Sequence, residues 1–233
     1  MKNYNSLPEL ISDDIIKRVS ALSTAQLCDG MESIGIIRNG CMDGGIMPVE
    51  SSMRMIGTAC TVETEDGDNF PIHVAIYQGK PGYALVVDGK GYTERTYMGD
   101  LMTSAAKAIG FNGIVIDGFV RDKEGLKELE LPVFSRGIMQ RSPSKKGPGK
   151  INVPITCGGI TVNPGDLVMG DYDGVTVIPR DRILEVLEKA EKKNDYEIKR
   201  RETIEEYARC REQGKELPNI APTWVAEMLT NIR

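Results

Sequence analysis

The chain has 233 residues, 34 acidic against 29 basic side chains, a formal net charge of −5 and a single histidine. That length suits one large domain or two small ones with a real core. The mild acidity argues against a broad nucleic-acid footprint, and one imidazole excludes a His-rich zinc site, which pushes acid/base and metal chemistry toward carboxylates, Lys, Arg and water.

Cys28, Cys41, Cys60, Cys157 and Cys210 are widely spaced and form no C-x-x-C pair, and the N-terminus MKNYNSLPEL carries no apolar leader. Long apolar runs are also missing, so a cytoplasmic protein with free thiols and no membrane partner is expected. Cys28 and Cys157 read as small buried hydrophobes rather than nucleophiles.

The first periodic segment runs from Ser12 to Gly30, with Ser12 as its cap, Asp13 and Asp14 at the helix start and Ile15, Val19 and Leu22 on one face; Ser23 to Leu27 opens a second helix. Residues 31–52, rich in Gly and Met, read as loop. From Ile56 to Thr64 β-branched residues predict a strand, and Asp66-Gly67-Asp68-Asn69 a turn. Ile72 to Tyr77 is helical or extended. Three short apolar runs follow, Ala84–Val87, Ile114–Ile116 and Leu167–Met169, each entered by a turn and left by an acidic residue and a glycine, the pattern of buried strands.

Between the first two runs, Asp100 to Gly110 predicts a helix with Leu101, Ala105 and Ala108 on one face and Gly110 as its stop. The outcome is a strand–helix–strand crossover. Strands near 133–134, 151–155, 160–162 and 175–178 are joined by turns and predict mixed sheet, hence an α/β fold that is not purely doubly wound. The segment Ser142 to Lys150, SPSKKGPGK, reads as a solvated loop, with a mobile edge to the active site as the second idea. From Pro179 to Gln213 a long helix is expected, apolar at Ile183, Val186, Leu187 and Ala190, then polar nearly all round from Glu191 to Arg201. It packs on a neighbouring subunit or bends near Asn194. The division expected is 1–180 as catalytic domain and 181–233 as C-terminal helical extension.

Chemistry concentrates at Gly99-Asp100 and, twenty residues on, Arg121-Asp122. Asp100 falls at a helix start and Arg121-Asp122 just past a strand, where α/β units gather ligands. Two carboxylates there are hard donors suiting Mg²⁺ or Mn²⁺ with waters retained, and an adjacent Arg can stabilise an oxyanion or enolate. The bland alternative is a helix cap and a surface turn pair. His73 reads as structural. Asp171-Tyr172-Asp173-Gly174 resembles the start of a calcium loop but has Arg182 where the closing Glu belongs, so it reads as a turn. Lys90 shows no sign of Schiff-base chemistry.

Taken together, Asp100-x20-Arg121-Asp122, Ser23-Thr24-Ala25-Gln26-Leu27-Cys28-Asp29, Gly67-Asp68-Asn69 with His73, Val86-Val87-Asp88-Gly89, Asp117-Gly118 and Gly165-Asp166 with Asp171-x-Asp173-Gly174-Val175 resemble the RraA-like family over roughly residues 20–200. Its class II pyruvate aldolases cleave 4-hydroxy-4-methyl-2-oxoglutarate and 4-carboxy-4-hydroxy-2-oxoadipate. The resemblance implies a β/β/α swivelling-domain sandwich with mixed sheets, assembled as homotrimers or homohexamers. It implies Asp122 as the ligand of a divalent metal and Asp100 as the holder of a water on that metal. Arg121 would neutralise a pyruvate enolate, and the turn Gly99-Asp100-Leu101 would receive the substrate carboxylate. Asn69 would line the pocket, and Glu197 would be contributed by a neighbouring subunit. The implied reaction releases pyruvate from a 4-hydroxy-2-oxo acid, with oxaloacetate decarboxylation as a side activity. The competing reading is a non-enzymatic regulator binding ribonuclease E, against which Asp122 counts. The tail Leu217 to Trp224 departs from the family's ending.

Overall fold

A computed structural model describes residues 3–36 and 40–232. Residues 37–39, part of the expected loop 31–52, lie outside the described residues. By its contacts the chain divides into Met1–Ala190 and Glu191–Arg233.

The first unit is organised by a mixed sheet. Strands β1 (Met47–Pro48), β2 (Met55–Glu63), β3 (Tyr83–Met98), β4 (Gly113–Val120), β5 (Val133–Ile138), β6 (Lys150–Ile151), β9 (Leu167–Asp171) and β10 (Gly174–Ile178) make eight among the described residues. Their order is β1-β5-β4-β3-β2-β9-β10, with β6 paired to β2. Strands β2 to β5 run parallel, whereas β9 joins β2 and β10 antiparallel. Strands β7 (Ile155–Cys157) and β8 (Ile160–Val162) form a separate hairpin. The run expected over 151–155 is thus split between two sheets, because Asn152 takes a left-handed turn (φ 54°) and leaves β6.

Alternation along the strands sorts side chains into two faces. Leu85, Val87, Ile114 and Ile116 point to one buried cluster, shared with Ile72, Ile76, Ala106 and Leu126 of helices α3 (Phe70–Tyr77), α4 (Asp100–Ile109) and α5 (Lys123–Glu128). Ala84, Val86 and Val115 point to the opposite cluster, which Ile155, Cys157, Ile160 and Val162 of the hairpin close. The layering is therefore helices, sheet, hairpin. A third cluster joins α1 (Asp13–Ser20) and α2 (Thr24–Glu32) to β9, β10 and to Ile183, Val186, Leu187 and Ala190.

Several local expectations change. Ser12 stands at the start of α1 without a side-chain cap, while Ser23 makes a full capping box with Gln26. Strand β3 does not end at Asp88-Gly89; it continues to Met98 through register shifts, its distal half pinned where the buried Tyr97 hydroxyl donates to the Gly89 carbonyl at 2.7 Å and accepts from the Gly67 amide at 3.0 Å. The six-residue α5 is too short to show a period. The thiols are not all free: the structure joins Cys28 to Cys41, with Cα atoms 6.5 Å apart. Both lie beside Thr176 of β10, which brings together two cysteines that spacing alone does not associate. Cys60 and Cys157 are buried thiols, and burial pushes Cys60 up to about 12, in keeping with a packing role.

Helix α6 (Ile183–Glu212) is one continuous helix. Beyond Ala190, the second unit contains its polar half and α7 (Thr223–Ile232), where Trp224, Met228 and Leu229 are exposed. No described helix is long and apolar enough to cross a membrane.

Candidate active site

Two segments that end neighbouring parallel strands meet at the site. Strand β3 runs out at Met98, and Gly99 opens α4. Its carbonyl accepts from the Thr103 amide at 3.1 Å and the Thr103 hydroxyl at 3.0 Å. Strand β4 runs out at Val120; the Arg121 amide still donates to the Met98 carbonyl, and Asp122 then turns left-handed (φ 60°) before α5. A non-glycine residue there carries backbone strain that the surrounding structure must hold. The turn carries the Asp122 carboxylate against Gly99, where any Cβ would overlap Asp122 Oδ2 and lie 2.9 Å from Arg121 Cγ. Gly99 is thus required by close approach. Gly125 plays the same part for Asp100, whose Cβ would lie 2.9 Å from a Cβ at 125.

These residues line a cavity of about 190 Å³. One wall is Met98, Gly99, Asp100, Leu101, Met102, Arg121 and Asp122; the other is Asn69, His73, Ser142, Pro143 and Lys145. Arg121 Nε lies 3.3 Å from Asp122 Oδ2, a half-exposed pair of small energetic worth, and its Nη1 donates to the Ser142 hydroxyl at 2.8 Å. Asp100 Oδ1 accepts from the Leu101 amide at 2.7 Å, so that helix-start donor is already engaged by its neighbour. A second recess of about 300 Å³, lined by Ile138, Met139 and Gln140, shares Arg121 and Asp122.

Six predicted residues, Asn69, Gly99, Asp100, Leu101, Arg121 and Asp122, are gathered on this one cavity. Glu197, expected from a neighbouring subunit, lies on α6 in the second unit, 3.2 Å from Arg201. Three further wall residues were not named as site residues from sequence. His73 lines the cavity, half-buried, and burial and then the nearby Lys145 charge lower its pKa, favouring neutral imidazole. Ser142 and Lys145 also face it, so their loop, exposed as expected, is an edge of the cavity.

That loop is fastened by Asp68, which the sequence shows in a turn and in the Gly67-Asp68-Asn69 motif but not as a clamp. Asp68 is 3% exposed. Its Oδ2 accepts from the Ser144 hydroxyl at 2.8 Å and from the Lys146 amide, and its Oδ1 from the amides of Phe70 at 3.0 Å and Gly147 at 3.2 Å. Burial alone would raise its pKa; the Lys146 and Phe70 amides, the Ser144 hydroxyl and the Gly147 amide outweigh it and hold the carboxyl below its ordinary value. Asn69, 2% exposed, donates Nδ2 to Met102 Sδ at 3.2 Å, while its Oδ1 finds no donor. Lys90 pairs with Glu65 at 2.9 Å, and that hydrogen bond leads in raising its pKa, the opposite of what an imine-forming lysine needs.

Could a cation sit here? Asp100 and Asp122 offer hard oxygen donors, and the orphaned Asn69 Oδ1 is a further acceptor lacking a partner. Among the described residues no group of three His, Cys, Asp or Glu could hold a metal. The donor set therefore fits a cation that keeps most of its shell as water or substrate oxygen, as Mg²⁺ does.

The family model described as RraA-like, Aldolase/RraA, matches residues 24–177. A protein of Halalkalibacterium halodurans is 38% identical over 180 residues, 77% of this chain and 83% of its own, and bears the name "Putative 4-hydroxy-4-methyl-2-oxoglutarate aldolase". A crystal structure of an uncharacterized Pseudomonas syringae protein superposes with a TM-score of 0.75 at 31% identity, covering 85% of this chain and 96% of that one. Streptomyces coelicolor RraAS2, described as an unusual member of the RNase ES inhibitor RraA protein family, superposes with a TM-score of 0.74 at 26% identity, covering 82% and 98%.

Proposed function

The chain belongs to the RraA-like family, and from that premise we propose that it is a divalent-metal-dependent aldolase releasing pyruvate from a 4-hydroxy-2-oxo acid. The names of its relatives support an aldolase. The observation that carries the finer reading is the convergence of Asp100, Arg121 and Asp122 with the buried Asn69 on one small cavity.

A cation, Mg²⁺ or Mn²⁺, held by Asp122 and through water by Asp100, would supply Lewis-acid polarisation of the substrate's 2-oxo group. The chain supplies the rest. The start of α4 orients the substrate carboxylate through its amides, in exchange with the Asp100 carboxylate at Leu101. Asp100 Oδ2, the oxygen not committed to that amide, accepts the C4-hydroxyl proton through a water; the C3–C4 bond breaks to leave a carbonyl product and the enolate, and the proton returns through that water to C3 of the enolate to give pyruvate. Arg121 stands beside the enolate oxygen and opposes its negative charge. Ser142 holds the guanidinium in that position. Oxaloacetate gives the same enolate by losing its C4 carboxylate, which makes its decarboxylation the expected side reaction. The assembly proposed is a homotrimer or homohexamer in which Glu197 of a neighbour completes the site; the exposed Tyr196, Ile198 and Ile204 of the same helix support a packing role.

Purified protein with Mg²⁺ should release pyruvate from a 4-hydroxy-2-oxo acid and from oxaloacetate, and EDTA should stop both. Release indifferent to EDTA overturns the metal; no release across a panel of such acids overturns the aldolase. The ribonuclease E regulator is the reading then left, and co-precipitation with ribonuclease E at low salt tests it.

A further inference from the structure

Two buried side-chain oxygens lack a donor among the described residues. One, Asn69 Oδ1, belongs to the active cavity. The other, Asn152 Oδ1, belongs to a separate cavity of about 250 Å³ between the N-terminal segment, the end of α3 and β6. Asn152 is 7% exposed. Its Nδ2 is fully engaged, donating to the Asn5 carbonyl at 3.2 Å and the Ser6 carbonyl at 3.1 Å. Those two bonds fix the amide's orientation, since turning it over would set its oxygen against two carbonyl oxygens. A buried acceptor without a donor is costly, and in a native protein it marks a place for a group the chain does not itself supply.

The rest of the lining narrows what that group is. Cys60, Ala75 and Ile151 are buried and apolar, and the Cys60 thiol, pushed up by burial, adds no charge. Gln78 and Lys80 stand on the exposed side. No carboxylate lines the cavity, and no ion pair to Lys80 occurs among the described residues. One cation, one unmet acceptor and an apolar floor match a molecule with one anionic end, one donor and a short hydrocarbon chain. A hydroxyl suits Asn152 better than an ammonium, which costs more to desolvate. The molecule is small, because drug-sized ligands fill about 300–1,000 Å³.

The chain itself links this cavity to the active one. Helix α3 carries His73 on the active cavity and Ala75 on this one, and Gln78 and Lys80 follow its end. The loop clamped by Asp68 carries Ser142 and Lys145 on the active cavity and runs through Lys150 into Ile151 and Asn152 here. Both segments of the wall opposite Arg121 therefore end in the second cavity.

We propose that this cavity is a regulatory site for a small hydroxy-monocarboxylate, whose hydroxyl donates to Asn152 Oδ1 and whose carboxylate meets Lys80, and that its occupancy steadies the 142–147 loop. The proposal stands apart from the aldolase reading, since neither the binding nor its effect on the loop requires turnover.

Calorimetric titration of the whole protein with 3-hydroxypropanoate and with propanoate, which lacks the hydroxyl, tests the site. The hydroxy acid should bind with a Kd about 3- to 10-fold lower. Equal Kd values overturn the proposal, because water then serves Asn152 as well as the ligand does, and so does an absence of binding at millimolar concentration. Lys80→Met should raise both Kd values about 10-fold and Lys80→Arg should restore them. Asn152→Gly, which the backbone tolerates at φ 54°, should erase the preference for the hydroxyl; a preference retained there overturns the role of Asn152. Arg121→Ala should change neither Kd. Binding that survives Lys80→Met and fails in Arg121→Ala puts the acid in the active cavity and overturns the site. Hydrogen exchange supplies the second arm. With 3-hydroxypropanoate at saturation, the amides of Ser144, Lys146 and Gly147, which bond to Gly67 and Asp68, should exchange several-fold more slowly. Exchange unchanged at saturation overturns the coupling to the active cavity.

Discussion

One wall of the cavity, Gly99 to Leu101 with Arg121 and Asp122, is carried by the ends of β3 and β4, whereas the other, Asn69 and His73 with Ser142 to Lys145, hangs on one buried carboxylate. The first is set by covalent geometry and close packing: a left-handed Asp122 and a glycine with no room for a Cβ. The second is set by hydrogen bonds between residues more than seventy apart in sequence. A wall made of strand ends is as rigid as its sheet. A wall made of hydrogen bonds to one ionised group depends on pH and on that single side chain.

This difference can be broken at four places. Arg121→Ala removes the cation opposite the enolate and should lower kcat for pyruvate release by roughly 10²–10³-fold with the fold intact by circular dichroism; retention of wild-type kcat would place the chemistry elsewhere. Gly99→Ala drives a methyl into Asp122 Oδ2 and should cost about 10²-fold in activity by misplacing the carboxylate. If its kinetics match the wild type, close approach at Gly99 is not what sets the wall.

Asp68→Asn acts on the other wall. An amide presents one oxygen and one NH₂ where two oxygens now accept four donors, so some of the Phe70, Ser144, Lys146 and Gly147 donors lose their acceptor. Chemical denaturation should show a loss of about 1–3 kcal/mol. The sign of the pH effect follows from the depressed carboxyl. Its contribution is complete above the ordinary value of 3.8 and is lost as pH falls through the lower folded-state value. Wild type should therefore shed stability on acidification below about pH 4 more steeply than Asp68→Asn; parallel curves would refute the hub. The smallest effect is expected far from both walls. Ser23→Ala deletes the capping box of α2 and should cost roughly 0.5–2 kcal/mol in the same denaturation assay, with pyruvate kinetics unchanged.

The first wall was legible from the chain alone because its residues follow regular elements. An apolar strand, a glycine and an acidic helix start announce where Asp100 and Asp122 must lie relative to a parallel sheet. The second wall was legible only in part: Asn69 and His73 stand in a family-like motif and the 142–150 loop was the second idea for an edge of the site, but the clamp that joins them was not. Asp68 looks like any turn aspartate, SPSKKGPGK has no period, and nothing local links them. Strand β3 beyond Asp88 escaped for a related reason: its register shifts break the alternation that marks a strand. The six residues of α5 include a glycine and carry too little pattern to register.

What the amino-acid sequence determined by itself is the α/β class, the crossover through α4, the long C-terminal helix and the family, since these rest on periodicity and on motifs read within short windows. Tertiary structure alone decided that β7 and β8 leave the main sheet, that Cys28 meets Cys41 beside β10, and that Lys145 faces Arg121's cavity from a loop clamped by Asp68. Those outcomes depend on contacts between distant segments, whose energies come from burial and hydrogen bonding once the chain has folded and leave no periodic mark on the residues that make them.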